Sequence, residues 1–372
     1  MKKVLIAKLN LEQTYSGATR TVYEQIKYFK NLGYEVHVVG ELINKVDIIA
    51  AGAKPHKTIR WPWQKKFKRR LQFSNQSEKL VKRICPSITI GHGDLQHQDI
   101  FLLHNSVHLA EEKINGKALS SGNEMHQTHT PILKNQQFKY MIANSQMMKD
   151  DLIHRFQIDK DKISVIYPAI DTQQFQIMNK EEIEDIRSEL GIKEGEFFVG
   201  LVTSGNFKKR GVDRFFAAIN LLPKEIALKT HFIFVGKDKL SSEVQALLDK
   251  SPYKERIRLL PIIYNVQKYF NALDVFVLPA RVEEFGRVVA EAMSCGCPVI
   301  TTSWVGAAEL MEGKSRDFIY NGEDIQELAT LITSLLEDEH IRAEVRELNA
   351  LAAKKVTEKE MFHRLDDILN YI

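Results

Sequence analysis

The stretch Leu273–Gly296 reads LDVFVLPARVEEFGRVVAEAMSCG and contains an apolar run, a short loop and a helical pattern, in that order. The run Leu273–Pro279 has the length and composition of a buried strand. The loop carries Glu283 and ends at Phe285-Gly286, where the helical pattern begins. A helix N-terminus presents free backbone N–H groups and positive dipole, so this loop favours a bound phosphate. Taken alone, Glu291 on that helix is better explained as a surface charge.

The same alternation of apolar strands and helical segments runs along most of the chain. Val4–Leu9, Thr19–Leu32 and Glu35–Gly40 form a β-α-β unit near the start, and a second set opens at Phe197–Thr203. Such units build parallel sheets with helices on both faces. A further helix is expected over Leu133–Tyr140, followed by a strand that begins at residue 141.

The change of pattern after Pro168 predicts two doubly wound, Rossmann-like α/β domains that face each other across a ligand-binding cleft. The predicted boundaries are residues 1–170 for the N-terminal domain, 171–355 for the C-terminal domain, and 356–372 for a C-terminal helix that packs back on the N-terminal domain.

Composition limits the class of protein. The chain has 372 residues, 44% of them hydrophobic and 27% charged, which is typical of globular proteins and sufficient for two cores. No run of eighteen apolar residues predicts a transmembrane helix, and three cysteines predict no disulfide framework, so a reducing cytoplasm is expected. Residues 1–170 carry a net charge of +11 and residues 171–372 a net charge of −7, which indicates that the first part faces an anionic partner.

Cations stand at one predicted helix start, where the helix dipole disfavours them. The loop Ser204–Gly211 contains Lys209 and Arg210, and a bound diphosphate would explain their position better than a solvated charge run. The corresponding loop of the first domain carries Gly17 and Arg20, for which an ordinary turn is an equally good explanation.

Histidines cluster near one predicted strand end. His104 follows the strand Asp99–Leu103 and is the candidate to lie near a reacting sugar carbon, with Asn105 and His108 as candidates for acceptor binding. A structural histidine is the commoner outcome for either ring. The wider set lacks a recognisable metal motif, so no metal site is expected. That set is His92, Asp94, His97, Asp99, His104 and His108.

A basic and aromatic segment at Arg60–Arg70 has six cations, three aromatic rings and no acid. This composition favours an anionic surface, either nucleic acid or lipid head groups, over a loop without a partner. The residues assigned to a membrane or acceptor patch are Arg60, Trp61, Trp63, Lys65, Lys66, Lys68, Arg69 and Arg70.

In this order and spacing, the motifs resemble glycosyltransferase family 4, whose members have the GT-B fold. Ser16–Arg20 is similar to the family's G-G-x-x-R loop, with Ser16 in place of the first glycine. Lys209–Asp213 is similar to its basic diphosphate loop, except that Gly205 stands where a partner arginine is usual. Glu283–Glu291 resembles its E-P-F-G-x-x-x-x-E motif, with Glu284 in place of proline. Within that family, the motifs most resemble those of lipopolysaccharide-core hexosyltransferases of the heptose glucosyltransferase type.

The resemblance implies roles for individual residues. Glu291 would bind the donor ribose, and Glu283 would hold the donor sugar and share the catalytic role with His104. The resemblance further implies a retaining mechanism with a nucleotide-sugar co-substrate, no obligatory metal and no other cofactor. The residues that would bind the diphosphate are Gly17, Arg20, Lys209, Arg210, Phe285, Gly286 and Arg287.

The sequence therefore predicts a retaining hexosyltransferase that uses a nucleotide-diphosphate sugar, with UDP favoured, and a cell-envelope glycolipid or polysaccharide acceptor such as lipopolysaccharide core. It would act at the cytoplasmic membrane as a peripheral protein on the inner, anionic face. One alternative is a sugar-nucleotide epimerase on the same fold, which would leave the basic segment unexplained. The other is a nucleic-acid-binding protein, although two phosphate-directed loops suit a small diphosphate better than a duplex.

Overall fold

A computed structural model describes the chain except for residues 13–15, 62, 64, 65 and 372 and the side chain of Lys66. The described residues form two compact units. One unit comprises residues 1–169 together with 358–372, and the other comprises residues 170–357. None of the described helices has both the length and the apolar character needed to cross a membrane.

The first unit is built on a seven-stranded sheet whose described pairs are all parallel. Its strands are β1 (Lys3–Ala7), β2 (Glu35–Gly40), β3 (Lys54–Lys57), β4 (Ile88–Gly91), β5 (Gln98–Leu102), β6 (Phe138–Ala143) and β7 (Ile163–Val165). Its helices up to residue 156 are α1 (Gly17–Asn31), α2 (Lys45–Ala50), α3 (Lys66–Ile84), α4 (Val107–Asn115), α5 (Glu124–Lys134) and α6 (Gln146–Phe156). The strand order is β3-β2-β1-β4-β5-β6-β7, so the chain reverses direction across the sheet between β1 and β4. Ligands of open α/β sheets bind beyond the carboxyl ends of the strands at such a point.

The second unit is built on a six-stranded parallel sheet. Its strands are β8 (Phe197–Val202), β9 (Thr230–Val235), β10 (Ile257–Leu260), β11 (Val275–Leu278), β12 (Val299–Thr302) and β13 (Ile319–Tyr320). Its α-helices are α7 (Lys180–Glu189), α8 (Val212–Ile219), α9 (Lys224–Ala227), α10 (Ser242–Asp249), α11 (Val266–Ala272), α12 (Arg287–Ser294), α13 (Ile325–Glu337) and α14 (Glu339–Ala353). The order β10-β9-β8-β11-β12-β13 places the reversal between β8 and β11. Both strands of that pair are followed by loops that the sequence singles out.

The last helix, α15 (Glu358–Tyr371), belongs to the first unit. Three of its side chains, Met361, Leu365 and Ile368, are buried in the same apolar core as β1 and α1. The Tyr28 hydroxyl of α1 also donates a hydrogen bond to the Asp366 carboxylate, at 2.5 Å.

One predicted helix is wrong. The segment Leu133–Tyr140 contains the end of α5, a turn and the start of β6. Gln136 adopts the left-handed backbone conformation, with φ of 45°, which ends the helix and turns the chain into the sheet. Strand β3 was not predicted, because Lys54-Pro55-His56-Lys57 has no apolar pattern and Pro55 is tolerated only because the strand lies at the edge.

Candidate functional site

Two loops of the second unit lie side by side at the carboxyl ends of β8 and β11. The backbone N–H of Arg281 donates to the Lys209 carbonyl at 2.9 Å, and the Arg281 guanidinium donates to the Lys208 carbonyl at 2.7 Å. That guanidinium also binds both carboxylate oxygens of Asp213, at 2.8 and 2.6 Å. Arg281 therefore joins the loop after β11 to the loop and helix after β8, which fixes the relative position of the two predicted donor loops.

Both loops end in a glycine that precedes a helix. Gly211 before α8 and Gly286 before α12 have φ of 68° and 86°, a conformation that disfavours side chains. A Cβ atom on Gly211 would lie 1.9 Å from the Pro279 carbonyl oxygen, so only glycine allows this approach of the loops. Neither helix has a side-chain N-cap, although the Val212 N–H donates to the Phe207 carbonyl and the Val289 N–H to the Gly286 carbonyl. The positive end of each helix dipole favours an anion at this place.

Two ion pairs connect the loops. The Lys209 ammonium lies 2.6 Å from the Glu284 carboxylate, and both residues are buried. The Arg210 guanidinium forms an ion pair with the Glu283 carboxylate. Both cations of the loop after β8 that were predicted to bind diphosphate are thus matched by a carboxylate of the neighbouring loop.

The pKa values of these groups reflect their burial. Burial lowers the pKa of Lys209 and of Arg210, opposed by attraction to Glu284. Burial alone would raise the pKa of Glu284, but the adjacent Lys209 and Arg210 cations hold it below its ordinary value. Glu284 is therefore ionised near neutral pH, and its charge opposes the effect of burial on the pKa of Lys209.

This pairing changes one predicted role. The Lys209 ammonium is held by Glu284, so Lys209 braces the two loops, and Arg210 is the stronger candidate for a diphosphate ligand. Glu284 itself was not predicted as a functional residue, and its only signal in the sequence is that it stands next to Glu283. Gly205 stands in the place of the family's partner arginine, and a Cβ atom there would lie 2.7 Å from the carboxylate end of the Asp238 side chain.

Helix α12 carries the remaining predicted donor ligands of this unit. Arg287 is its first residue, and Glu291 lies one turn further along with only 7% of its surface exposed. Phe285 is buried, and its carbonyl accepts a hydrogen bond from the Ala307 N–H at 2.6 Å. Burial, together with the neighbouring Glu291, raises the pKa of the Cys295 thiol to about 12. Glu291 is thus a buried carboxylate and not the surface charge that its position alone suggested.

In the first unit, the predicted residues Gly17 and Arg20 lie in the first turn of α1. Gly17 is exposed and Arg20 is partly exposed, and Ser16 at the N-cap makes no side-chain hydrogen bond to the helix. The preceding residues 13–15 lie outside the described part of the chain. The helix start follows β1, so these residues stand beyond the carboxyl end of a strand at the reversal point of the sheet.

His104 lies just beyond the carboxyl end of β5. Its Nε2 is 2.7 Å from His92 Nδ1, and the two rings lie edge to edge and nearly coplanar, with centroids 5.0 Å apart. Asn105 is exposed on the following turn.

The ring of His108 faces α5 and α6. Its Nε2 lies 3.0 Å from the Thr130 hydroxyl, and its ring packs edge-on against Phe156. Burial lowers the pKa of His108 to about 4, so the ring is neutral near pH 7. These contacts give His108 a packing role and argue against acceptor binding.

The basic and aromatic segment divides into exposed and internal residues. Trp63 is 74% exposed and packs edge-on against Trp61, which is 48% exposed. Arg60 and Lys68 are also exposed. The predicted patch contains Lys65 and Lys66 as well, but Lys65 and the side chain of Lys66 lie outside the described structure.

Arg69 and Arg70 require a correction, because their guanidinium groups bind internal carboxylates. Arg69 pairs with the buried Glu41, and Arg70 pairs with Asp94 and with Glu124. Neither guanidinium therefore belongs to the exposed patch.

The histidine and aspartate set of the first unit consists of side chains of the kinds that can ligate metals. Among the residues that the structure describes, no group of three or more His, Cys, Asp or Glu side chains is arranged to hold a metal ion. Two of the acids have other partners: Asp94 accepts from the Leu9 N–H, and Asp99 accepts from the Thr89 N–H.

Comparison with known proteins covers both units. A family model described as Glycosyltransferase Family 4 matches residues 15–174, and one described as Glycosyl transferases group 1 matches residues 182–352. This chain belongs to glycosyltransferase family 4. The matched models describe transferases and give no support to the epimerase or nucleic-acid-binding alternatives.

Individual relatives of this family 4 glycosyltransferase are distant. The lipopolysaccharide glucosyltransferase WaaG of Escherichia coli is 30% identical over 46% of this chain and 45% of its own length. A D-inositol 3-phosphate glycosyltransferase of Xylanimonas cellulosilytica is 25% identical over 55% of this chain and 50% of its own length. The chain thus spans about half the length of the curated relatives it matches.

Solved structures show the same fold along the whole chain. The crystal structure of WaaG superposes with a TM-score of 0.81 at 17% identity and covers 98% of this chain and 99% of its own. The structure of Anabaena Alr3699/HepE in complex with UDP and glucose superposes with a TM-score of 0.78 at 19% identity and covers all of both chains. The predicted α/β, GT-B fold of this glycosyltransferase is confirmed.

Proposed function

We propose that this glycosyltransferase moves a hexose from a UDP-sugar, with retention of anomeric configuration, to a cell-envelope glycolipid or polysaccharide, with lipopolysaccharide core as the favoured acceptor. Two similar proteins support this choice of donor and acceptor. WaaG, a lipopolysaccharide glucosyltransferase, is among the relatives and among the structural neighbours. HepE, another neighbour, has a structure with UDP and glucose.

The observation that carries the proposal is the paired arrangement of the loops after β8 and β11. It combines two uncapped helix N-termini with the guanidinium of Arg210 and the buried carboxylate of Glu291 on α12. Backbone N–H groups and a guanidinium are the groups that bind a diphosphate, and a carboxylate is suited to accept from ribose hydroxyls. One nucleotide diphosphate would use all of these groups.

The Arg210–Glu283 ion pair indicates which contact would change when the donor binds. A diphosphate oxygen competes with the Glu283 carboxylate for the same guanidinium. Donor binding would thus exchange one anion for another at Arg210 and leave Glu283 able to accept from hydroxyls of the transferred sugar. Lys209 would stay with Glu284, because separating them would leave a buried charge without a counter-ion.

Catalysis would depend on charge stabilisation at both sides of the breaking bond. As the bond between the anomeric carbon and the diphosphate lengthens, negative charge collects on the leaving oxygen and positive charge on the sugar ring. Arg210 and the helix N-termini would stabilise the leaving diphosphate, while Glu283 and His104 would serve the sugar. In this proposal no metal and no cofactor other than the nucleotide sugar is needed.

The proposal includes a peripheral position at the inner, anionic face of the cytoplasmic membrane. Its support is the exposed Trp61–Trp63 pair, preceded by Ile59, which is 69% exposed, with the cations of Arg60 and Lys68 nearby in the sequence. Aromatic rings beside cations suit the boundary between lipid head groups and acyl chains. A glycolipid acceptor would be presented at the same boundary.

A thermal-shift screen of nucleotide sugars tests the donor assignment. A ligand that binds only the native protein stabilises it by about 2.7 kcal/mol at one hundred times its dissociation constant, so a UDP-sugar should raise the melting temperature. Glu291→Gln and Glu291→Ala should abolish that shift, each compared with its own ligand-free melting temperature. The matched control, Glu225→Ala on the exposed face of α9, should keep it. No shift with any nucleoside diphosphate sugar would contradict the proposal.

A further inference from the structure

A hydrogen-bonded series of side chains, Gln25, His92 and His104, connects the interior of the first unit with His104. Gln25 of α1 is buried, and its Oε1 lies 2.9 Å from Nε2 of the buried His92. His92 follows β4, and its Nδ1 lies 2.7 Å from Nε2 of His104, which follows β5. Both ring nitrogens of His92 therefore have defined partners, one on each side.

The protonation of His92 follows from its surroundings. Burial lowers the pKa of His92 well below its ordinary value, and the nearby His104 and Lys8 act in the same direction. A neutral imidazole carries one N–H. The Gln25 Oε1 can only accept a hydrogen bond, so the proton of His92 lies on Nε2 and its Nδ1 carries a lone pair.

The lone pair on His92 Nδ1 determines which ring nitrogen of His104 carries the proton. Since His92 Nδ1 can only accept, the hydrogen between the two rings belongs to His104 Nε2. In a neutral His104 the other nitrogen, Nδ1, then carries a lone pair and accepts hydrogen bonds. The interplanar angle of 14° keeps this hydrogen bond close to the plane of both rings.

We propose that Gln25 and His92 are positioning residues that hold the proton of His104 on Nε2 and so make its Nδ1 a hydrogen-bond acceptor for the transferred sugar. This inference rests on the proposed function, in which His104 serves the donor sugar. An acceptor nitrogen takes a hydrogen bond from a sugar hydroxyl, and its lone pair stabilises the positive charge that develops on the ring as the glycosidic bond breaks. An N–H at the same place would repel that charge.

Nitrogen-15 NMR of the histidine rings in the full, ligand-free chain tests the proton positions directly. His92 is expected to give the spectrum of a neutral ring protonated at Nε2 at every pH between about 5.5 and 8. Whenever the His104 ring is neutral, its proton is expected on Nε2. A His92 proton on Nδ1, or a His104 protonated only on Nδ1, would overturn the inference.

Two substitutions of Gln25 test the consequence for the reaction. Gln25→Met has a similar size and removes the acceptor for the His92 N–H. Gln25→Glu keeps an acceptor, but its carboxylate favours a His92 cation, whose Nδ1–H would donate to His104 Nε2 and place the His104 proton on Nδ1. Gln25→Met is expected to lower donor turnover, measured as transfer or as slow hydrolysis of the UDP-sugar, on the order of tenfold. It should leave the donor-induced thermal shift unchanged, and Gln25→Glu should lower turnover at least as much, because it reverses the His92–His104 hydrogen bond.

Equal turnover of Gln25→Met and the unsubstituted chain would overturn the positioning role. The NMR spectra need no substrate, so they decide the proton positions even if no UDP-sugar is turned over. A protein that binds no nucleotide sugar but shows the expected His92 and His104 spectra would refute the proposed function and leave the assigned proton positions standing.

Discussion

At the scale of single residues, Glu284 is the side chain that most changes the interpretation of the donor site. The family motif has proline at its position, and the sequence offered no partner for it. The structure places its carboxylate 2.6 Å from Lys209, a residue 75 positions away, with both side chains buried. The predicted ligand Lys209 thereby becomes part of the scaffold that supports Arg210.

The Lys209–Glu284 pair gives a prediction for stability. Glu284→Ala leaves a buried ammonium without a counter-ion and should lower the free energy of unfolding by about 3–5 kcal/mol. Replacing both residues, as Lys209→Met with Glu284→Leu, should restore most of that loss, because neither member of the pair then leaves a buried charge without its counter-ion. Urea denaturation of the single and double variants measures the difference. A double variant as unstable as Glu284→Ala would contradict a buried ion pair.

Buried histidines of the first unit predict a pH dependence. Burial is the main cause that lowers the pKa of His129 to about 3, whereas an unfolded histidine titrates near 6.5. The unfolded state therefore takes up a proton first as the pH falls, and stability that is present above about pH 6.5 is lost below it. From pH 7 to pH 5, His129 alone should cost about 2 kcal/mol.

Urea denaturation at those two pH values measures the loss. His129→Gln should show a smaller decrease between pH 7 and pH 5 than the unsubstituted chain. Carboxylates such as Glu196, whose pKa is about 2, do not contribute in that window because they titrate at lower pH. An equal decrease in both proteins would refute the assignment to His129.

At the scale of elements, the sequence predicted much of the architecture. The bounds predicted for Glu35–Gly40 are those of β2, and the strand predicted to open the second set at Phe197–Thr203 differs from β8 by one residue at its end. Continuous apolar runs and helical periodicity are local signals, so they can be read without knowing the fold. Polar edge strands such as β3 carry no such signal.

The candidate site was predicted less completely because its contacts are not local. The loops after β8 and β11 were identified from their residue types and glycines, but their ion pairs join distant parts of the chain. Arg69 and Arg70 seemed to belong to a surface patch until their internal partners Glu41 and Asp94 were known. Likewise, nothing in the sequence connects Gln25 with His92.

The close approach of the two loops gives a prediction at this scale. Gly211→Ala adds a Cβ at a left-handed position and also forces it against the Pro279 carbonyl, so it should destabilise the chain by more than the roughly 1–2 kcal/mol of backbone strain alone. Gly195→Ala is the matched control, because Gly195 has φ of 76° and open space around it. Urea denaturation and the donor-induced thermal shift measure both effects. Similar destabilisation by the two substitutions would argue against a tight loop contact.

At the scale of the whole molecule, the exposed Trp61 and Trp63 rings predict membrane association. Trp61→Ala with Trp63→Ala should reduce binding to vesicles that contain anionic lipid, because the amphipathic rings no longer enter the head-group layer. Co-sedimentation measures binding, and the UDP-sugar thermal shift should be unchanged. Exposed tyrosine and leucine on the second unit offer a matched control, Tyr264→Ala with Leu259→Ala. Equal vesicle binding by the tryptophan variant and the unsubstituted chain would contradict the membrane role.

The membership of α15 in the first unit has a consequence for biosynthesis. Met361, Leu365 and Ile368 complete a core whose other members include Val4, near the beginning of the chain. A ribosome delivers these three side chains only after residues 170–357 have emerged. The second unit, being continuous, has all of its residues available earlier, so the part synthesised first is the part that finishes folding last. Until then, the nascent N-terminal unit exposes the apolar surface that α15 later covers, which makes it a natural client for chaperones during translation.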